Sequence, residues 1–242
     1  MNILSIGNSF SQDAQHFLAQ VAAHNGQQVT AVNLYIGGCS LERHFRNLMM
    51  DSREYDMEFN GFKTGFKTSI REALLTRAWD VVTLQECSSS SPDYQKYQPY
   101  LDLVAAEVRR LCPKAKIWIH ETWGYETGSD RILKKFPQYA DMAAMYADIR
   151  DSYRKAAKAI GAEGIIPAGK AMLALAESGL QAHRDGYHVN KGYARYMLAL
   201  VWCRTLLGMD ISADTFRDFD TTVPVTEEEC RAAIAAAVAA TE

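Results

Sequence analysis

The stretch Ile3-Leu4-Ser5-Ile6-Gly7-Asn8-Ser9-Phe10-Ser11 decides the fold of this chain. Its first four residues form a short apolar run that is typical of a buried strand, and apolar residues with helical spacing follow over residues 13–23. Gly7 lies between these two segments and favours a tight turn. A strand that ends in such a turn and leads into a helix is the opening unit of a parallel α/β sheet.

The same alternation of strands and helices continues along the chain. Four further apolar runs predict strands, and five further segments predict helices. The predicted strands cover residues 28–35, 79–84, 115–119 and 164–167, and the predicted helices cover 69–77, 100–111, 137–160, 192–207 and 227–240. Short apolar runs separated by helices indicate a parallel sheet that is covered on both faces. We therefore expect one three-layer α/β/α domain over residues 1–242, flavodoxin-like, with about five parallel strands.

One stretch, residues 50–67, breaks this alternation. Tyr55, Met57 and Phe59 alternate with polar residues, and Asn60-Gly61 is a favoured two-residue hairpin turn. We therefore expect a hairpin inserted into the same domain before the helix at 69–77.

The composition excludes several classes of protein. The 242 residues carry 26 Lys and Arg against 29 Asp and Glu, a net charge of −3, which argues against nucleic acid or an anionic membrane as the main partner. The five cysteines contain no C-x-x-C pair and the six histidines show no metal-site spacing, so we expect no disulfide framework, metal or other cofactor. The sequence has no transmembrane run and begins as a core strand, which predicts a cytoplasmic protein unless a leader was removed.

Ser9 is the first candidate for chemistry. In open parallel sheets ligands bind beyond the carboxyl ends of the strands, and Ser9 directly follows the first predicted strand. The backbone N–H groups at the start of the next helix carry partial positive charge that suits a developing oxyanion. The alternative is that Ser9 or Ser11 only caps that helix. The motif is not the Gly-x-Ser-x-Gly turn of α/β-hydrolases.

The segment Asp185-Gly186-Tyr187-His188 is the second candidate. An Asp three residues before a His can hold one imidazole nitrogen while the other faces a nucleophile, and Gly186 permits the sharp turn. A surface turn before a capped helix would have a similar sequence. Together with Ser9, however, the segment supplies the nucleophile, the general base and the orienting carboxylate of a serine hydrolase.

These segments resemble the sequence blocks of the SGNH (GDSL-like) hydrolase family. Residues 3–11 resemble the first block, with Gly-Asn-Ser in place of the commoner Gly-Asp-Ser, and Asp185 and His188 resemble the last block. Gly37-Gly38 resembles the second block, whose glycine N–H contributes to the oxyanion hole of that family. The order of strands and helices matches the family along nearly the whole chain, except for residues 50–67.

The third block departs from the family pattern. The family usually has Gly-x-Asn-Asp there, and its Asn side chain donates to the oxyanion, whereas this chain has Gln85-Glu86. This pair is similar to the Gln-Gly-Glu of some carbohydrate-esterase branches. The resemblance therefore implies an oxyanion hole formed by the N–H groups of Ser9 and Gly38 and the side-chain amide of Gln85, although that amide could equally bind neighbouring loops.

The function that the resemblance implies is two-step acyl transfer. Ser9 would attack an ester carbonyl, His188 would act as general base, and Asp185 would fix the imidazole tautomer. We predict a serine esterase that hydrolyses small acyl esters, with an O-acetyl group on a carbohydrate as the expected substrate. The oligomeric state cannot be read from the sequence.

Four further residues are expected near the pocket because they follow predicted strands or the glycine pair. They are His44, Glu86, His120 and Trp123. A structural role stays open for each: a histidine on a helix face, a salt-bridge carboxylate or a buried side chain. Trp123 could instead stack against a sugar ring.

Two other functions remain open at this point. A non-catalytic carbohydrate-binding protein, or one with only weak catalysis, could keep the fold, because the third block lacks its Asn. A nucleotide or phosphate binder could use the loop 7–11, but this reading leaves Asp185 and His188 unexplained.

Overall fold

A seven-stranded sheet runs through the centre of the computed structural model, which describes residues 1–242. The strands are β1 (Asn2–Gly7), β2 (Thr30–Tyr35), β3 (Tyr55–Phe59), β4 (Phe62–Thr68), β5 (Val81–Leu84), β6 (Lys116–His120) and β7 (Gly164–Ile166). Their order across the sheet is β4-β3-β2-β1-β5-β6-β7. Five neighbouring strands, β2, β1, β5, β6 and β7, are parallel to one another. Their carboxyl ends therefore meet at one edge.

Ten helices cover the two faces of the sheet. They are α1 (Ser9–Gln15), α2 (Leu18–His24), α3 (Leu41–Met50), α4 (Ile70–Leu75), α5 (Tyr100–Leu111), α6 (Asp130–Lys135), α7 (Met142–Ile160), α8 (Ala168–Glu177), α9 (Tyr193–Leu207) and α10 (Glu227–Thr241). One apolar core lies under α1, α2, α8, α9 and α10, and a second lies under α3 to α7. None of the ten combines the length and the apolar character that a bilayer crossing requires.

The central strand β1 shows why both faces are covered. Its side chains alternate between the two cores: Ile3 packs on the side of α1, and Leu4 and Ile6 pack on the side of α3. All three are almost completely buried. β1 pairs with β2 on one side and with β5 on the other, so the turn after Gly7 lies between the loops that follow those two strands.

The expected single α/β domain with five parallel strands and helices on both faces is confirmed. The sheet has seven strands because the hairpin of β3 and β4 extends it beyond β2, with both new pairings antiparallel. Asn60 and Gly61 form the hairpin turn with φ of 48° and 87°, the conformation that makes Asn-Gly a favoured pair there. The hairpin expected in residues 50–67 is thus present as an edge of the main sheet.

The helix predictions also differ from the structure in places. The helix expected over residues 13–23 is two helices, of which α1 already begins at Ser9. Three helices, α3, α6 and α8, were not predicted. α6 spans only six residues, and half of the ten residues of α3 are polar. Such helices give a weak apolar pattern because packing on the sheet stabilises them more than propensity does. α8 differs, since its ten residues are largely apolar.

Candidate active site

Three side chains meet at the carboxyl end of β1. The hydroxyl oxygen of Ser9 lies 2.9 Å from Nε2 of His188, and Nδ1 of the same ring lies 2.8 Å from Oδ2 of Asp185. Ser9 is the first residue of α1, whereas Asp185 and His188 lie in the loop between α8 and α9, about 180 positions along the chain. The structure therefore brings together a hydroxyl, an imidazole and a carboxylate in the order that activates a serine nucleophile.

The turn that carries Ser9 depends on its glycine. A Cβ atom on Gly7 would lie 2.1 Å from the Ser11 hydroxyl oxygen and 3.2 Å from the Gln85 side-chain oxygen, so only glycine fits between strand and helix. Asn8 then caps α1: its side-chain oxygen accepts from the Phe10 N–H at 3.0 Å. Of the two serines that could have capped the helix, Ser11 completes the cap by accepting from the Asn8 N–H at 3.0 Å, whereas the Ser9 hydroxyl faces His188.

Asn8 also connects the nucleophile turn to the loops on both sides. Its side-chain nitrogen donates to the carbonyl of Cys39 at 3.1 Å, and its side-chain oxygen accepts from Nε2 of Gln85 at 2.7 Å. Asn8 is 1% exposed, so water does not compete for these bonds. The sequence reasoning gave this residue no role, although it occupies the position where the related motif has Asp.

The loop between α8 and α9, which carries the general base His188, is held mainly by hydrogen bonds between its own residues. Oδ1 of Asp185 accepts from the backbone N–H of His188 at 2.8 Å, and Gly186 permits this turn with a φ of 85°. Partial burial alone would raise the pKa of the Asp185 carboxyl, but the bonds from the ring and backbone of His188 outweigh it and hold that pKa below its usual value. Asp185 is therefore ionised when His188 is neutral.

A buried ion cluster joins the two halves of this arrangement. Asp13, on α1, is fully buried and lies 3.0 Å from the guanidinium of Arg184 and 2.7 Å from that of Arg195. Arg184 directly precedes Asp185, and Arg195 lies on α9. This cluster, the Asp13 clamp, ties the helix of the nucleophile to the loop of the base. Sequence reasoning missed it, because three isolated charges so far apart in the chain carry no local pattern.

Two backbone N–H groups are available beside Ser9 for an oxyanion. The N–H of Ser9 stands at the first position of α1, where no preceding turn supplies an acceptor. The N–H of Gly38 has no acceptor within the chain, and this residue has a φ of 62° in the loop after β2. Both residues line the same cleft.

The third predicted donor, Gln85, is placed elsewhere. Its side chain is 2% exposed, and its amide nitrogen donates to Asn8 while its oxygen lies 2.7 Å from Nδ1 of His120. It does not line the cleft. The prediction that the Gln85 amide faces the oxyanion is wrong: the side chain points into the core beneath the nucleophile turn.

The four residues expected near the pocket are all buried, and none lines the cleft. His44 lies against the hydroxyl of Tyr55, with Nδ1 2.9 Å away, and burial lowers its pKa to about 3. Glu86 accepts from the backbone N–H groups of Leu41 at 3.1 Å and Cys87 at 2.6 Å, and burial raises the pKa of its carboxyl. Glu86 therefore fixes the loops after β2 and β5 to each other rather than touching a ligand.

His120 and Trp123 are likewise core residues. Burial lowers the pKa of His120 to about 3, so the ring is neutral against Gln85. Trp123 stacks on Phe10 with ring centroids 4.1 Å apart and donates its indole N–H to the carbonyl of Tyr187 at 2.8 Å. The expectation that these side chains form a pocket wall is wrong, because side chains at and just beyond the carboxyl end of a strand can point into the core as readily as into a cleft.

The cleft in front of Ser9 has a volume of about 220 Å³. Its lining consists of Asn8, Ser9, Phe10, Tyr35, Gly37, Gly38, Ser88, Tyr187 and His188. The ring of Tyr187 packs against the His188 ring with centroids 3.9 Å apart, and the guanidinium of Arg131 lies 4.4 Å from the centroid of the Tyr187 ring. Two tyrosines, rather than Trp123, thus provide the aromatic surface. No group of three or more His, Cys, Asp or Glu side chains is arranged to hold a metal ion.

Comparison with known proteins identifies the family of this chain. The family model described as "Domain of unknown function (DUF4886)" matches residues 2–240. A crystal structure of a DUF4886 family protein from Bacteroides uniformis is 30% identical, with a TM-score of 0.89 over 98% of this chain and 93% of that one. No curated protein sequence matches this chain.

More distant solved structures share the fold. A protein from Slackia heliotrinireducens, described as a candidate SGNH hydrolase, is 23% identical, with a TM-score of 0.58 over 85% of this chain and 98% of its own. Axe2, an acetylxylan esterase from Geobacillus stearothermophilus, is 15% identical, with a TM-score of 0.51 over 86% of this chain and 94% of its own. The chain therefore belongs to the DUF4886 family and has the fold of the SGNH and GDSL-like hydrolases.

Proposed function

We propose that this protein is a serine esterase that uses Ser9, His188 and Asp185 to hydrolyse small acyl esters. The observation that carries the proposal is the continuous pair of hydrogen bonds from the Ser9 hydroxyl through His188 to Asp185, at 2.9 and 2.8 Å. A serine hydroxyl is a weak nucleophile until a positioned base takes its proton. A helix cap or a surface turn would not require these three side chains to meet.

The first half of the reaction acylates Ser9. Its oxygen attacks the ester carbonyl carbon while Nε2 of His188 accepts the hydroxyl proton, and the ionised Asp185 stabilises the resulting imidazolium. The tetrahedral intermediate collapses, the bond to the alcohol breaks, and His188 returns the proton to the departing oxygen. In the second half, His188 deprotonates a water molecule that attacks the acyl-enzyme. The bond between the Ser9 oxygen and the acyl carbon then breaks, His188 returns the proton to that oxygen, and the acid is released.

The N–H groups of Ser9 and Gly38 are suited to hold the negative oxygen of both tetrahedral intermediates. They line the cleft next to the nucleophile and have no competing acceptor in the protein. A donor of this kind contributes about 10²–10³-fold to the rate because it binds the charge that develops in the transition state.

The dimensions of the cleft favour a short acyl group. At about 220 Å³ it is smaller than the pockets of roughly 300–1,000 Å³ that enclose drug-sized ligands. Tyr35 and Tyr187 offer aromatic surface with polar hydroxyl tips, which suits a sugar better than a long acyl chain. Axe2, which shares the fold, is an acetylxylan esterase. We therefore propose an O-acetyl group on a carbohydrate as the substrate.

Hydrolysis of a chain-length series tests both parts of this proposal. The purified protein is given p-nitrophenyl acetate, butyrate and octanoate, and acetate release from acetylated xylan and from a peracetylated monosaccharide is measured in parallel. We expect kcat/KM to fall from acetate to octanoate and acetate to be released from at least one sugar. Equal rates along the series would contradict the small-acyl assignment. Sugar binding without any turnover would favour the carbohydrate-binding alternative.

A further inference from the structure

The nucleophile has neighbours on both sides in the sheet. β1 lies between β2 and β5, so the loop after β2 brings Gly38 to one side of Ser9 and the loop after β5 reaches the other side. Ser88 is the one side chain of that second loop that lines the cleft. The residues before it are engaged elsewhere: Gln85 binds Asn8 and His120, and Glu86 binds backbone N–H groups.

The hydroxyl of Ser88 has one partner in the protein. Its oxygen lies 3.0 Å from the hydroxyl oxygen of Tyr125, which is 2% exposed and has no other partner. A buried phenol must place its single proton on an acceptor, and the serine oxygen is the acceptor within reach. With Tyr125 as donor, the Ser88 oxygen accepts, and its own proton is left without an acceptor in the protein.

We propose that the Ser88 hydroxyl is a third oxyanion donor, aligned by Tyr125. The side-chain amides of Asn8 and Gln85 donate to acceptors within the protein, so the Ser88 hydroxyl would supply the side-chain donor across from the N–H of Gly38. This inference rests on the proposed esterase function. Because an oxyanion donor acts on the charge of the transition state rather than on the neutral ester, its loss lowers kcat and leaves KM nearly unchanged.

Kinetics of single and double variants test the proposal. With p-nitrophenyl acetate, we expect Ser88→Ala to lower kcat by about 10²-fold, with KM within a factor of two, as for other lost oxyanion donors. Tyr125→Phe removes the phenol that orients Ser88 but leaves the Ser88 hydroxyl in place, so we expect kcat to fall by about fivefold. The double variant Ser88→Ala/Tyr125→Phe should match Ser88→Ala, because Tyr125 acts through Ser88.

Two further variants separate chemistry from folding. Ser88→Thr retains a hydroxyl and should recover most of kcat, whereas Ser89→Ala, in the exposed neighbouring position, should behave as wild type. Wild-type kcat in Ser88→Ala would overturn this inference while leaving the esterase proposal in place. An inactive wild-type protein whose Ser9 resists a fluorophosphonate would overturn the esterase proposal and this inference with it.

Discussion

The turn with the nucleophile and the loop with the base are stabilised in opposite ways. Asn8 is 1% exposed and makes side-chain bonds to the loops after β2 and β5, so the position of Ser9 depends on three neighbouring strands. The side chain of Asp185 is 43% exposed, and most of its bonds are to His188, three residues away. The nucleophile is thus positioned by the global fold, and the base by a short local motif.

The Asp13 clamp is the main link between these two regions. It connects α1, which begins with Ser9, to Arg184, which directly precedes Asp185. The difference between the regions therefore has measurable consequences. Changes in the loop should affect chemistry with little effect on folding, changes in the turn should affect both, and changes in the clamp should alter how the two regions align.

The largest effect in this comparison is expected at the local motif. Asp185→Asn removes the carboxylate that fixes the tautomer of His188, and we expect kcat for p-nitrophenyl acetate to fall by about 10³-fold. Because the side chain is partly exposed, the free energy of unfolding should change by less than about 1 kcal/mol. Asp130→Asn, on the exposed start of α6, is the matched control for loss of one charge. A fully active Asp185→Asn would show that the carboxylate has no role.

A smaller effect on rate, combined with one on stability, is expected in the turn. Asn8→Ala removes bonds to Cys39 and Gln85, which should lower kcat by about 10²-fold and destabilise the protein by about 2 kcal/mol. Urea unfolding and steady-state kinetics measure the two effects. Gln15→Ala loses a buried amide bond to Ser5 away from the cleft, so it should lose stability alone. Equal kcat values in the two variants would refute the positioning role of Asn8.

Breaking the clamp should have a modest effect on rate. Asp13→Asn leaves two arginines without their carboxylate, so we expect a loss of about 3 kcal/mol in the free energy of unfolding. In the fraction that remains folded, kcat should fall by about tenfold because the loop of the base is less well aligned with Ser9. Asp148→Asn, which removes the charge of an exposed carboxylate that accepts from the Tyr139 hydroxyl, is the control. An unchanged kcat in folded Asp13→Asn would mean that the loop needs no clamp.

The smallest effect concerns the buried His120 and the stability of the protein in acid. His120 is neutral in the folded protein, where its pKa is lowered to about 3, but it protonates near its ordinary pKa when unfolded. The unfolded state then binds more protons as the pH falls below that ordinary value, so folding is destabilised there. We therefore expect the free energy of unfolding of wild type, measured relative to that of His120→Asn, to fall by about 1 kcal/mol as the pH is lowered from about 7 to about 5.5. If the difference in free energy of unfolding between wild type and His120→Asn did not change with pH, His120 would not be neutral in the folded protein.

The sequence predicted those parts of the site that depend on local pattern. Ser9 follows an apolar run and a glycine, and Asp185 and His188 lie three residues apart, so each could be identified without knowledge of distant contacts. Gln85, His120 and Trp123 were assigned by their place after a strand, but packing turned each of them into the core. Asp13 and Arg184 form their contact across 171 positions, which no local spacing reveals.

The same distinction applies to the fold. The buried parallel strands are nearly continuous apolar runs, and their pattern alone predicted the three-layer domain. The hairpin was recognised from Asn60-Gly61, but its pairing with β2, which makes the sheet seven-stranded, depends on contacts between distant segments. Ser88 and Tyr187 could have been noticed from their positions beside other candidates, yet only the structure shows that they line the cleft.

The most direct test of the account is covalent labelling of Ser9. Wild type and Ser9→Ala are incubated with a fluorophosphonate and read by intact mass, together with hydrolysis of p-nitrophenyl acetate. We expect a single adduct and turnover in wild type, and the loss of both in Ser9→Ala, with a fall in kcat of at least about 10⁴-fold. Folded wild-type protein that takes no label, or a Ser9→Ala variant that labels and turns over equally well, would contradict Ser9 as the nucleophile.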